Sequence, residues 1–209
     1  MLKIKVCGMT LAANIAAVAA AKPEYMGFIF YDKSPRAISS VSAELIKYIP
    51  AEIKTVGVFV NETPEIVRKN VSQFNLSAVQ LHGQENPEYC TELKKEFQQL
   101  EIIKAFGVDE DFDFASLAPY LNIVDYFLFD TKTKMHGGSG KTFDWSILAQ
   151  YTLSKPYFLS GGIDLEHHSS IKNITDERLY ALDINSKFET EAGVKNAEKV
   201  SEFIQEIRK

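Results

Sequence analysis

Short runs rich in β-branched and aromatic residues recur along the whole chain, at 3–6, 25–30, 55–60, 78–81, 102–106, 126–129, 156–159 and 179–184. Their near-continuous apolar character is that of parallel strands covered on both faces, where the polar alternation of a half-exposed strand is lost. Between them lie stretches with helical spacing. The clearest is 194–207, where Val194, Ala197, Val200, Phe203, Ile204 and Ile207 fall on one face. Others are 11–21, 43–49, 63–74 and 87–97. Thr63-Pro64-Glu65 and Asn86-Pro87-Glu88 each put a capping side chain before a proline, whose missing N–H is no loss in a first helical turn. After the fifth, sixth and seventh runs the helical pattern weakens.

Eight strand–helix units in 209 residues average about 26 residues each, near the lower end for a (β/α)₈ barrel. The competing arrangement is a doubly wound open sheet, which usually has a glycine-rich turn after its first strand. Here that turn is Cys7-Gly8-Met9-Thr10, without GxGxxG. The pattern therefore predicts an α/β fold, a single-domain (β/α)₈ TIM barrel over residues 1–209, with no linker or low-complexity segment.

Bulk properties exclude more than they assign. A net charge of -5 argues against a nucleic-acid partner, which requires clustered Lys and Arg. Cys7 and Cys90 are the only cysteines, far apart and without a CxxC, so neither a disulfide framework nor a zinc site is indicated. The start, MLKIKVCG, runs straight into a strand rather than a signal-peptide core, and no apolar stretch is long enough to span a membrane. The expectation is a cytoplasmic protein.

In this barrel, chemistry gathers at the C-terminal ends of the strands. Ser160-Gly161-Gly162 follows the seventh run and Asp183-Ile184-Asn185-Ser186-Lys187 the eighth, the usual place for a phosphate in the fold. Glycines let backbone N–H groups approach phosphate oxygens closely, and Gly138, within Gly137-Gly138-Ser139-Gly140, is a candidate third arm. Each alone reads as a turn; together at one mouth they predict a phosphate site from Gly138, Gly161, Gly162, Asn185, Ser186 and Lys187.

Cys7 ends the first strand and Asp130 the sixth. A lone strand cysteine is usually an inert core residue, and Asp130 alone reads equally as a cap or an ion-pair partner. The pleat, however, puts Lys3, Lys5 and Cys7 on one face. Cys7 then looks to the mouth with Lys5 one layer below, Asp183 on the eighth strand being the candidate partner for Lys5. Positive charge there favours thiolate over thiol, and aromatics around Asp130 favour the neutral acid. His82 closes the fourth strand and reads as a core histidine or a substrate contact. Arg36, after Pro35, is a solvated loop residue or a fork for a carboxylate.

These pieces in this order resemble the phosphoribosylanthranilate isomerase family over nearly the whole chain. The matching segments are Lys5-Val6-Cys7-Gly8-Met9-Thr10, Gly27-Phe28-Ile29-Phe30 with Ser34-Pro35-Arg36, Val56-Gly57-Val58-Phe59-Val60-Asn61, Val79-Gln80-Leu81-His82-Gly83, Gly137-Gly138-Ser139-Gly140 with Phe143-Asp144-Trp145, and Ser160-Gly161-Gly162. The resemblance implies a monomeric or dimeric barrel and an Amadori rearrangement of a phosphorylated aminoaldose in tryptophan biosynthesis. It implies Asp130 as the acid, Cys7 as the base, and Arg36 gripping the anthranilate carboxylate. It implies no cofactor and no metal, because the substrate amine itself forms the Schiff base. The chain departs from the family pattern Asp-x-Ser-Ser-Gly-x-Glu after strand eight, where Lys187 replaces a glycine.

Three other readings compete. The related isomerase of histidine biosynthesis uses a carboxylate where Cys7 stands. Indole-glycerol-phosphate synthases need a catalytic Lys and Glu on inner strands, of which Lys5 is the only hint. A phosphate-binding barrel without turnover is the third, and it gains only if Lys187 spoils the phosphate loop.

Overall fold

Eight parallel strands close on themselves in sequence order, β1 Lys3–Cys7, β2 Tyr25–Ile29, β3 Lys54–Phe59, β4 Ala78–Leu81, β5 Glu101–Val108, β6 Tyr126–Thr131, β7 Tyr157–Leu159 and β8 Leu179–Ile184. The computed structural model describes residues 1–39, 43–132 and 144–209. Closure comes from β1 pairing with both β2 and β8, with Cys7 opposite Gly27 and Lys5 opposite Asp183. Because parallel partners in register point the same way, these residues share the barrel interior with Gln80, Ile103, Leu128 and Asp130.

The alternation sorts the core into two layers. Ile4, Val6, Met26, Leu182 and Ile184 face outward to the helical shell. Tyr25, Val56, Ala78, Leu128 and Phe158 fill the barrel below the mouth. A filled interior leaves ligands only the open upper end.

The helices follow their caps. α1 spans Ala12–Ala19; α2, Pro64–Phe74, begins behind Thr63, whose side chain accepts from the Ile66 N–H; α3, Pro87–Glu96, begins behind Asn86 in the same manner. Where the helical pattern weakens, the chain forms 3₁₀ turns instead, at Phe114–Tyr120, Trp145–Gln150 and Leu165–His167, the last running into the short α4, His168–Lys172. Pro119 inside the first of these removes a donor that a longer helix would need. In the 43–49 stretch the described structure is a 3₁₀ turn, Ile46–Tyr48.

One predicted helix needs correction. The 194–207 stretch is not continuous: Val194–Lys195 is a strand, β10, paired antiparallel with β9, Glu189–Glu191. Gly193, at φ 86°, makes the turn, and Asn196 then caps α5, Ala197–Arg208. Val194 and Lys195 satisfy the helical period by chance, and the hairpin overrides it. Among the described residues no helix is long and apolar enough to cross a membrane.

Candidate active site

The thiol of Cys7 stands at the top of β1, inside the barrel and 4% exposed. Gly27 makes room for it: a side chain there would begin 2.8 Å from the Cys7 sulfur and 3.2 Å from Lys5 Nζ. Lys5, one layer down and fully buried, donates to both Asp183 carboxylate oxygens at 2.9 Å. Burial alone would pull the Lys5 pKa down, but Asp183 and the Cys7 sulfur outweigh it and hold the ammonium above its usual value. For Cys7 the balance falls the other way. Burial pushes the thiol up, further than Lys5 and Lys195 pull it down. The expectation that neighbouring charge would leave a lowered thiol pKa is therefore corrected. The sequence shows the cations but not how dry their surroundings are.

Asp130 projects from β6, where it pairs in register with Gly107 of β5. Asp130 is 8% exposed, and its carboxyl pKa is raised from 3.8 to about 6, by burial first and then by the charge of Asp183, against opposing contacts from the Thr131 N–H, Ser160 and Lys5. Cys7 and Asp130 thus both feel the Lys5–Asp183 pair. A cleft of about 390 Å³ opens on Asp130 between the ends of β4, β5 and β6, with Phe106, Phe112 and Tyr120 in its walls. His82 lies there too, with Nε2 3.6 Å from an Asp130 oxygen and Nδ1 3.1 Å from Gln80 Nε2.

The loop after β7 is built for close approach. Gly161 and Gly162 take φ of 91° and 66°, so two successive residues are left-handed. A side chain on Gly161 would collide with the Thr131 hydroxyl and lie 2.8 Å from its N and 3.2 Å from Asp130 Oδ1. This loop therefore lies directly against Asp130. Asn185 and Ser186 follow β8, where a 3₁₀ turn covers Ser186–Phe188, and the Asn185 side chain is turned toward Gly8 and Lys195. Lys187 sits in that turn without positive φ, so its departure from glycine leaves the backbone unstrained. Its exposed side chain adds positive charge near Asp164. Gly138 lies outside the described residues.

Arg36 reaches the mouth from the loop after β2, and there it meets Glu189. Nε donates to both carboxylate oxygens at 2.9 and 3.0 Å and Nη2 to one at 2.7 Å. Sequence reasoning missed this partner and Lys195, whose ammonium contacts Glu189 and donates to Asn185 Oδ1 at 2.7 Å. Glu189 ends the quoted family pattern, which was a usable signal; Lys195 was concealed by the false helix.

Residues 4–206 match the family described as N-(5'phosphoribosyl)anthranilate (PRA) isomerase. A Parabacteroides distasonis protein named N-(5'-phosphoribosyl)anthranilate isomerase is 44% identical over 206 residues, covering 98% of this chain and 92% of that one. The crystal structure of phosphoribosyl anthranilate isomerase from Thermotoga maritima superposes with a TM-score of 0.87 at 36% identity, covering 100% of this chain and 99% of that one. A further structure of such an isomerase, in complex with reduced 1-(o-carboxyphenylamino)-1-deoxyribulose 5-phosphate, is similar with a TM-score of 0.85 at 32% identity, covering 100% of this chain and 99% of that one.

Proposed function

This chain belongs to the N-(5'-phosphoribosyl)anthranilate isomerase family, and from that premise we propose that Cys7 is the base and Asp130 the acid of its reaction. The protein is an isomerase of tryptophan biosynthesis, converting an aminoaldose phosphate to an aminoketose phosphate. The observation that carries the assignment of roles is their convergence: a thiol from β1 and a carboxyl from β6 border one buried ion pair at one end of the barrel.

In the first step Asp130 gives its proton to the ribose ring oxygen. The C1–O bond breaks as the amine nitrogen forms C1=N, opening the ring to a Schiff base. The Cys7 thiolate then removes the C2 proton, and those electrons become a C1=C2 bond as the nitrogen is neutralised. In the last step C1 gains a proton and the 2-hydroxyl loses one. If the Cys7 thiol supplies the first and the Asp130 carboxylate accepts the second, both groups return to their starting forms. Backbone N–H groups of Gly161 and Gly162, with Ser186, hold the phosphate, and His82 keeps Asp130 oriented. The Arg36 fork, set by Glu189, meets the anthranilate carboxylate. We place the enzyme in the cytoplasm, acting on its small-molecule substrate.

Purified protein is expected to remove the fluorescence of freshly formed phosphoribosylanthranilate in the presence of a chelator and without nucleotide. Unchanged fluorescence contradicts the proposed mechanism. In the same assay Arg36→Met is expected to raise KM about tenfold or more and to lower kcat, since it removes a charge-assisted contact to the substrate. Wild-type KM in that variant would take Arg36 out of the site.

The pH dependence follows from the two shifts. With Asp130 near 6 and the thiol above its usual 9.0, the active form, Asp130 protonated and Cys7 ionised, is a minor one. Between those limits the protonated Asp130 fraction falls tenfold per pH unit while the thiolate fraction rises tenfold, so their product is constant. Below pH 6 only the thiolate loss remains, and the rate declines. The expected kcat/KM profile is therefore flat from about pH 6 to beyond 8.5, with an acid limb near 6. An acid limb centred above 8 contradicts the assignment.

A further inference from the structure

The β9–β10 hairpin is fastened at three points to the loop after β1 and to the start of α1. Thr10 Oγ1 donates to Gly193 O at 2.8 Å, and Asn14 exchanges bonds with the Lys195 backbone at 2.7 and 2.8 Å. This docking turns Glu189 and Lys195 inward, and Lys195 is only 2% exposed. Gly8 marks where they converge. A side chain on Gly8 would begin 2.9 Å from Arg36 Cδ, 2.9 Å from Asn185 Oδ1 and 3.4 Å from Lys195 Nζ. All three groups therefore crowd the residue that follows Cys7.

Resting on the reading of Cys7 as the base, we infer that this hairpin is a working part of the active site. Lys195 holds the Glu189 carboxylate against the Arg36 fork and places a second ammonium beside the Cys7 thiol. Lys195 and Glu189 are positioning residues, since both act through Arg36 and Cys7.

Charge balance supports the assignment. The charged groups acting on the thiol are Lys5 from its own strand, Asp183 from β8 and Lys195 from the hairpin; Glu189 and Arg36 join the cluster through Lys195, Asn185 accepts from Lys195, and Asp130 joins through the Lys5–Asp183 pair. Three cations meet two fixed carboxylates, which leaves one positive charge. It is cancelled in two ways: by ionised Asp130 with a Cys7 thiol, or by a Cys7 thiolate with protonated Asp130. The second is the reactive form, and the surplus cation makes it attainable in a dry site. Without Lys195 the cluster is neutral only with both groups protonated, and the thiolate has no counterion to spare.

The test is a titration of the Cys7 thiolate by its ultraviolet absorbance, as the difference from a Cys7→Ser background, together with steady-state kinetics. In Lys195→Gln the thiol midpoint is expected to rise by about one pH unit or more, with kcat near neutral pH falling about tenfold. Lys195→Arg keeps the charge and is expected to titrate like the wild type. Glu189→Gln frees positive charge, so its midpoint is expected to fall while KM rises because Arg36 loses its anchor. A wild-type midpoint in Lys195→Gln overturns the inference. Should that variant fail to fold, a wild-type midpoint in Glu189→Gln overturns it instead. The titration does not depend on turnover, so it separates this inference from the choice of base. An active Cys7→Ala enzyme would reject Cys7 as base, whatever the titration shows.

Discussion

Asp130→Asn is expected to slow turnover by about two to four orders of magnitude while making the protein more stable. The loss follows from chemistry: an amide has no proton to give the ring oxygen, so ring opening loses its acid. The gain follows from burial. A carboxyl whose pKa is about 6 in the folded chain and 3.8 when exposed favours folding only while it is protonated. That advantage is complete below pH 3.8 and is lost as the pH rises through 6. Relative to acid conditions, the ionised group therefore costs about 3 kcal/mol near neutral pH. Asparagine carries no charge and still accepts from the Thr131 N–H, which donates to Asp130 Oδ1 at 2.9 Å. A gain of about 1–3 kcal/mol at pH 7.5, seen as a raised denaturant midpoint, is the expected result. A destabilised but active variant would show that Asp130 is there for the fold.

Cys7→Ala is expected to cost about 10²–10⁴ in kcat, with KM changed little. The substitution removes the atom that takes the C2 proton and leaves the Lys5–Asp183 pair, the phosphate loop and the Arg36 fork intact. Its signature should be a block after ring opening: removal of the C2 proton then limits what little reaction remains, so a substrate deuterated at C2 would slow it further. Wild-type turnover in this variant would remove Cys7 from the mechanism. The variant should stay folded, because Lys5 keeps both bonds to Asp183.

Much of this was legible because a closed parallel barrel is written in short apolar runs, and because strand ends define its mouth. The pleat alone places Lys5 below Cys7, and register on β8 puts Asp183 opposite Lys5. Boundaries were less legible. β5 runs on to Val108 and β6 to Thr131, beyond the apolar runs, because pairing with a neighbour carries a strand past its hydrophobic residues. The hairpin was hidden for a different reason. Val194 fits a helical face as well as it fits a two-residue strand, and only Gly193 and Asn196 punctuate the change. The ionisation of Cys7 was misjudged because desolvation depends on everything packed around the thiol, which no local motif records.

The position of Lys104 shows a related gap. This lysine on β5 is 2% exposed and donates to the carbonyls of Leu81, Gly83 and Ala105, with Glu85 at 3.2 Å. It ties the loop carrying His82 and Gly83 to β5. In the sequence it is an unremarked cation inside an apolar run.

The account depends on a thiol and a carboxyl from strands well separated in sequence working on one sugar. The most direct test is a crystal structure of this chain with the reduced product analogue bound. The expected result has Cys7 Sγ about 3.5 Å from C2 and an Asp130 oxygen hydrogen-bonded to the oxygen that closed the ribose ring, with the phosphate on the Gly161–Gly162 loop. A ligand bound elsewhere, or either side chain turned away from the sugar carbons, would contradict it.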